Sequence, residues 1–178
     1  MGKATKDLIQ EHDVILHALE LLKKVQAREG LEEDALLQYY GEFAYFSEVF
    51  ADKCHHGKEE HNMYHTLAPL GDTAEKNMII ALIEDHVKAR ALVRELKAAV
   101  EAGKVGIAAA KAAEYRVLLL DHIRRENEEM FPSLEHRITE KQQEVMYGHF
   151  LDVEERFLGD GVKGRLDAMF EGWKALAA

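Results

Sequence analysis

The sequence predicts an all-α fold, an antiparallel up-down-up-down four-helix bundle with a C-terminal helical extension. Three observations lead there. Long stretches are rich in Ala, Leu, Glu and Lys, residues that lose little on entering a helix, and only two prolines occur in 178 residues. Apolar residues recur at three- and four-residue spacing over runs of more than twenty residues. Glycine, proline and capping pairs break those runs at a few places only, so the connections are short and successive helices must be antiparallel.

The first helix is expected from about Thr5 to Arg28, with Leu8, Ile15, Leu19 and Leu22 along one face and Gly30 ending it. A second runs from near Glu33 to about Leu67, stopped by Pro69-Leu70-Gly71. Asp72 and Glu75 read as a capping box that opens a third helix lasting to about Gly103. A fourth begins after Gly106 and reaches about Arg137, with Pro132 expected as a kink or break. Thr139 and Gln142 form a second capping box, starting a helix that Gly159-Asp160-Gly161 terminates. A last helix carries Leu166, Met169, Phe170 and Trp173, read as packing residues. Without a linker or low-complexity segment, residues 1–178 read as a single domain, with the bundle at about 5–137 and the helical appendix at about 138–178.

Composition narrows the function. A formal charge of −10 makes nucleic acid or an anionic membrane surface a poor partner. The single Cys54 excludes an internal disulfide and fits a reducing compartment. No apolar run approaches the length of a membrane span, no apolar signal region opens the chain, and Gly2 misses the myristoylation spacing by one position. A cytoplasmic protein is expected.

Ten histidines are present, and their placement carries the information. Each of the four long helices puts one on its core face. His12 lies a turn from Leu8 and Leu16, and His55 continues a stripe of Ala44, Ser47 and Ala51. His86 follows Ile79 and Leu82, and His122 follows Tyr115 and Leu118. One such histidine is ordinary packing; four, one per helix, need a common partner. Carboxylates complete the pattern. His55 and Glu59 are four apart, as are His122 and Glu126, so each pair shares a helix face. The segments also repeat: His122-Ile-Arg-Arg-Glu126 precedes Met130-Phe131-Pro132-Ser133-Leu134, and His55-His-Gly-Lys-Glu59 precedes Met63-Tyr64-His65-Thr66-Leu67 at the same offset. The repeat aligns Glu59, not Glu60, with Glu126. Two buried carboxylates need compensating cations, and a metal pair held by nitrogen and oxygen donors suits iron, with manganese or zinc as lesser options.

The segments Asp7-Leu-Ile-Gln-Glu-His12, Cys54-His-His-Gly-Lys-Glu-Glu60, Asp85-His86 and His122-Ile-Arg-Arg-Glu-Asn-Glu-Glu-Met-Phe-Pro132 resemble the hemerythrin-like, HHE cation-binding family over residues from about 5 to 137. The resemblance implies a bundle with a non-haem, carboxylate-bridged pair of iron ions reactive toward O2, nitric oxide or peroxide. It implies that His12 and His55 bind one iron, His86 and His122 the other, and that Glu59 and Glu126 bridge them. Oxygen-carrying members have a further histidine four residues after that of helix three, where this chain has Arg90. Either the second iron keeps an open position or His56 takes the missing place. Arg90 then reads as a donor to a bridging carboxylate or bound anion, or as an Arg extending over the surface.

The remaining candidates receive plainer readings. His61, His65 and His17 face solvent, while His136 and His149 lie beyond the site. Cys54 is a packing thiol, Glu60 a polar flank, and Tyr115 a packing residue that could line a cavity. Ferritin-like di-iron proteins require Glu-x-x-His pairs, and no histidine here has Glu three residues before it. The His-Glu-x-x-His zinc motif is absent, and His12-Asp13 stands alone. A metal-free acidic interaction module leaves the His/Glu repeats unexplained. The function expected is therefore a di-iron protein that binds or reacts with O2, nitric oxide or peroxide in sensing or detoxification. Iron storage, or delivery for repair of iron centres, is the alternative. A protein partner is not legible, nor is whether the chain is an enzyme.

Overall fold

Six helices and no strand make up the computed structural model, which describes residues 1–178. Helix α1 is Lys3–Ala27, α3 is Thr73–Glu101, α5 is Glu140–Leu158 and α6 is Val162–Ala177. Helix α2 spans residues 33–67 without a break and α4 spans 105–137. Both long helices contain wide π turns, at Ser47–His56 and Glu59–Met63 in α2 and at Glu126–Met130 in α4.

The start signals work as their chemistry dictates. Asp72 Oδ1 accepts the N–H groups of Ala74 and Glu75 at 2.9 and 3.1 Å, and its own N–H donates to Glu75 Oε2 at 2.7 Å. Thr139 and Gln142 make the equivalent box at the head of α5. Gly30, with φ of +76°, and Gly161, with φ of +84°, supply left-handed backbone where the chain turns into α2 and α6. At Pro132 the expected break does not occur. The proline neither ends nor breaks α4, which continues through Phe131–Arg137. The π turn just before it rearranges the hydrogen-bond ladder where the missing proline N–H would otherwise leave a gap.

Helix α4 lies along α3, which also meets α2; α1 packs on α4, α5 and α6. Apolar side chains form two clusters rather than one. The larger joins residues from Ile15 to Val25 of α1 with the first half of α2, the second half of α3, the first half of α4, and Leu166, Met169 and Trp173 of α6. The smaller joins Ala4 and Leu8 to Met63, Leu67, Leu82, Met130, Phe131, Leu134 and Phe150. Trp173 is fully buried against Tyr39, Phe43, Phe46 and Phe170, and its Nε1 donates to Glu42 Oε2 at 2.9 Å. Between the two apolar clusters lies a layer of buried polar side chains. No helix is long and apolar enough to cross a membrane.

Candidate metal centre

That layer consists of His12 from α1, His55, His56 and Glu59 from α2, His86 from α3, and His122 and Glu126 from α4, each at most 1% exposed. All seven residues singled out from the sequence converge here. Their donor atoms fall into two groups: His56, Glu59, His86 and His122, and His12, His55, Glu59 and Glu126, with the atoms of each group within 4.8 Å of one another. Glu59 belongs to both. Its Oε1 faces His55 Nε2 at 3.3 Å, and its Oε2 faces His86 Nε2 at 3.4 Å. Glu126 Oε2 lies 3.2 Å from His12 Nε2 and 3.1 Å from His122 Nε2. In the first group His56 stacks on His86, ring centroids 3.9 Å apart, and the Nε2 atoms of His86 and His122 are 3.0 Å apart.

The wide turns explain how one helix supplies so many donors. A π turn holds more residues than an α turn, so neighbours diverge by a smaller angle. His55 and His56 can then face the same layer, although consecutive α-helical residues stand about 100° apart. The turns starting at Glu59 and Glu126 are matched. The N–H of Tyr64 bonds to the carbonyl of Glu59, and that of Phe131 to the carbonyl of Glu126. Each places an aromatic ring against a histidine of another helix. Phe131 stacks on His12 at 5.3 Å and Tyr64 on His86 at 6.0 Å. The Tyr64 hydroxyl also donates to Glu126 Oε1 at 2.5 Å.

Outside this layer the imidazoles are oriented through Nδ1. Asn127 Oδ1 is 2.9 Å from that of His12, Glu11 Oε2 is 2.9 Å from that of His55, and Glu60 Oε1 is 2.7 Å from that of His86. Longer approaches link His56 to Asp52 at 3.6 Å and His122 to Asp85 at 3.9 Å. A carboxylate at Nδ1 fixes the ring and leaves the Nε2 lone pair free, as metal-bound histidines require. Glu60 is therefore an orienting group, not the polar flank the sequence reading made it. Arg90 touches neither Glu59 nor Glu126. It donates to Asp52 Oδ1 at 2.7 Å and to Glu60 Oε1 at 2.8 Å, tying together the carboxylates behind His56 and His86.

The repeat held a signal for two of these partners. Glu60 and Asn127 directly follow Glu59 and Glu126, and each reaches the histidine of a neighbouring helix. Tyr64 stands opposite Phe131 in the repeat, but nothing in the spacing aimed its hydroxyl at Glu126, and Glu11 had no comparable mark. Cys54 is buried beside Glu11 and belongs to neither group, while His17, His61, His65, His136 and His149 are exposed. A third acidic group, Asp7, Glu11 and Glu154, surrounds the ammonium of Lys58 and so already holds its cation.

The donor set fits a bound cation on two counts. Buried polar atoms are almost always hydrogen-bonded, yet eleven buried side-chain atoms lack a partner, and eight of them belong to His12, His55, His56, Glu59, His122 and Glu126. Charge points the same way. Burial raises the pKa of Glu59, with Glu126 adding to the effect. Burial opposes a charged His55, but Glu59 and Glu11 outweigh it and carry its pKa up to about 10. For His122 burial is likewise outweighed, by Glu126 and Asp85, to about 10. Burial and the neighbouring imidazoles hold His56 and His86 well below the ordinary value, as neutral donors. The carboxylates thus demand positive charge, which protons on two imidazoles or divalent cations can supply.

A family model, the hemerythrin HHE cation binding domain, matches residues 3–134. The chain belongs to that family, and the buried His/Glu groups are those of a metal-binding protein. No curated protein and no solved structure gives a significant match.

Proposed function

We propose that this member of the hemerythrin family holds two non-haem iron ions between helices α1 to α4, arranged as an antiparallel up-down-up-down bundle, and binds or reacts with O2, nitric oxide or peroxide. One observation carries the reading: two donor groups share Glu59, and the buried atoms that lack partners are concentrated in them. His12 and His55 would hold one ion, and His56, His86 and His122 the other, with Glu59 and Glu126 between them. When bound, such a pair supplies electrons and Lewis acidity to a small ligand.

The chain's own residues prepare the rest. Glu11, Glu60 and Asn127 keep Nδ1 occupied so that Nε2 faces inward. Tyr64 holds a proton at its hydroxyl oxygen, directed at Glu126. The two apolar clusters on either side keep bulk water out. A cavity of about 230 Å³ between α2 and α3, with Ser47, His56, Ala89, Arg90 and Tyr115 in its lining, offers a path for a small molecule. Burial of every donor at 1% exposure or less favours resident ions over ions in transit, and so favours small-molecule chemistry over iron storage or delivery.

Elemental analysis after expression in iron-replete medium should give close to two metal equivalents per chain. Anaerobic titration of the reduced protein with O2, nitric oxide and peroxide, followed optically, then identifies the ligand. A folded protein that refuses iron would refute the reading. Iron that loads and leaves readily, with no spectral response to any of the three, would favour storage.

A further inference from the structure

The family match ends at residue 134, and helices α5 and α6 lie beyond it. One side chain of α5 nevertheless reaches the wall of the metal centre. Lys58 is fully buried, and its ammonium donates to Asp7 Oδ2 at 2.6 Å, Glu11 Oε1 at 2.7 Å and Glu154 Oε1 at 2.9 Å. An ammonium has three donors, so these three carboxylates satisfy it completely. The other oxygen of Glu11 lies 2.9 Å from Nδ1 of His55. A continuous path therefore runs from Glu154 through Lys58 and Glu11 to an imidazole whose Nε2 faces the candidate metal.

We infer that the C-terminal extension is a working part of the centre, with Glu154 a positioning residue that acts on His55 through Lys58 and Glu11. The inference rests on the metal-binding reading above. Removing the charge of Glu154 leaves Asp7 and Glu11 as the only anionic partners of the ammonium. Lys58 then pulls harder on Glu11, making that carboxylate a weaker acceptor for the Nδ1–H of His55. A ligand imidazole with a weaker partner at Nδ1 is less basic and less firmly oriented at Nε2. The effect is confined to the His55 side, because His86 and His12 are oriented by Glu60 and Asn127, which Lys58 does not touch. Glu154 also pairs with Lys163 of α6 at 3.3 Å, so both helices of the extension meet at this residue.

Cobalt(II) titration of the full-length, metal-free protein tests the inference, with His55→Ala and His86→Ala assigning the two binding steps. Glu154→Gln should weaken the step assigned to His55 by about tenfold, the low end for partners outside the ligand shell, and leave the other unchanged. Glu154→Asp should recover part of the loss. Met146→Ala, which loosens α5 within the smaller apolar cluster but spares the network, should not discriminate between the steps. Equal binding by Glu154→Gln and the parent, or the same selective loss in Met146→Ala, would overturn the inference. Nitrogen-15 NMR of the metal-free protein gives a second readout: the Nδ1–H of His55 should shift and exchange faster in Glu154→Gln but not in Met146→Ala. If the parent takes neither cobalt nor iron, the metal reading fails. The NMR comparison then decides the relay alone, an unmoved His55 signal refuting it.

Discussion

Replacing Tyr64 with Phe removes one oxygen atom and exposes how the layer is held before any metal arrives. The phenol donates at 2.5 Å to Glu126, and both residues are at most 2% exposed, so water cannot take over the bond. Burial, reinforced by Glu126, raises the Tyr64 pKa well above its ordinary value, so the hydroxyl remains a donor throughout the neutral range. A hydrogen bond to a charged acceptor is worth about 1.5–3 kcal/mol. A chain of 150–250 residues loses about 2–4 °C of midpoint per kcal/mol. The metal-free Tyr64→Phe protein should therefore melt about 3–12 °C below the parent. The ring itself still stacks on His86, so packing is nearly conserved and the fall reports the hydroxyl. Thermal unfolding by far-UV circular dichroism after exhaustive chelation measures it. An unchanged midpoint would refute the reasoning, because it would mean that Glu126 does not depend on Tyr64.

Three further outcomes are expected. His56→Ala should lose metal or shift the spectrum of the oxidised centre while His61→Ala matches the parent; if both match it, His56 has no part in the site. Trp173→Ala should cost about 3–5 kcal/mol in urea unfolding, the range for a large buried aromatic side chain, and a loss below about 1 kcal/mol would show that α6 is not part of the cooperative core. Burial alone would raise the pKa of Glu135, but the Thr5 hydroxyl and the Gly2 N–H outweigh it and hold it below the ordinary carboxylate value. Its contribution is present above the unfolded-state pKa and lost as pH falls through the folded one. Glu135→Gln should accordingly flatten the acid limb of the stability profile, and a limb as steep as the parent's would count against it.

Much of this was legible because it follows from helix periodicity. The capping boxes at Asp72 and Thr139, the stop at Gly30, and the core faces carrying His12, His55, His86 and His122 depend only on spacing. Residues outside that rule were missed or misread. Five positions along an α-helix turn by about 140°, which places Tyr64 far from Glu59; the π turn that brings it back has no signature in the sequence. Glu11 and Lys58 were invisible for another reason. Their partners come from other helices: Glu11 meets His55 and Lys58 of α2, and Lys58 also meets Asp7 of α1 and Glu154 of α5. Arg90 was read against the histidine it replaces, whereas its partners Asp52 and Glu60 come from another helix.

The two repeats are alike in sequence but not in chemistry, and the difference sits at one position. Tyr64 and Phe131 occupy the same place after Glu59 and Glu126, at the end of matched π turns, and each ring stacks on a histidine of another helix. Only Tyr64 carries a hydroxyl, and it serves the carboxylate of the opposite repeat. Glu126 thereby has Oε1 engaged and only Oε2 without a partner, whereas both oxygens of Glu59 lack one. The centre is asymmetric as a result. Glu59 can offer an oxygen to each donor group, but Glu126 faces His12 and His122 with the same oxygen. A proton donor, Tyr64, stands against His86, and an apolar ring, Phe131, against His12.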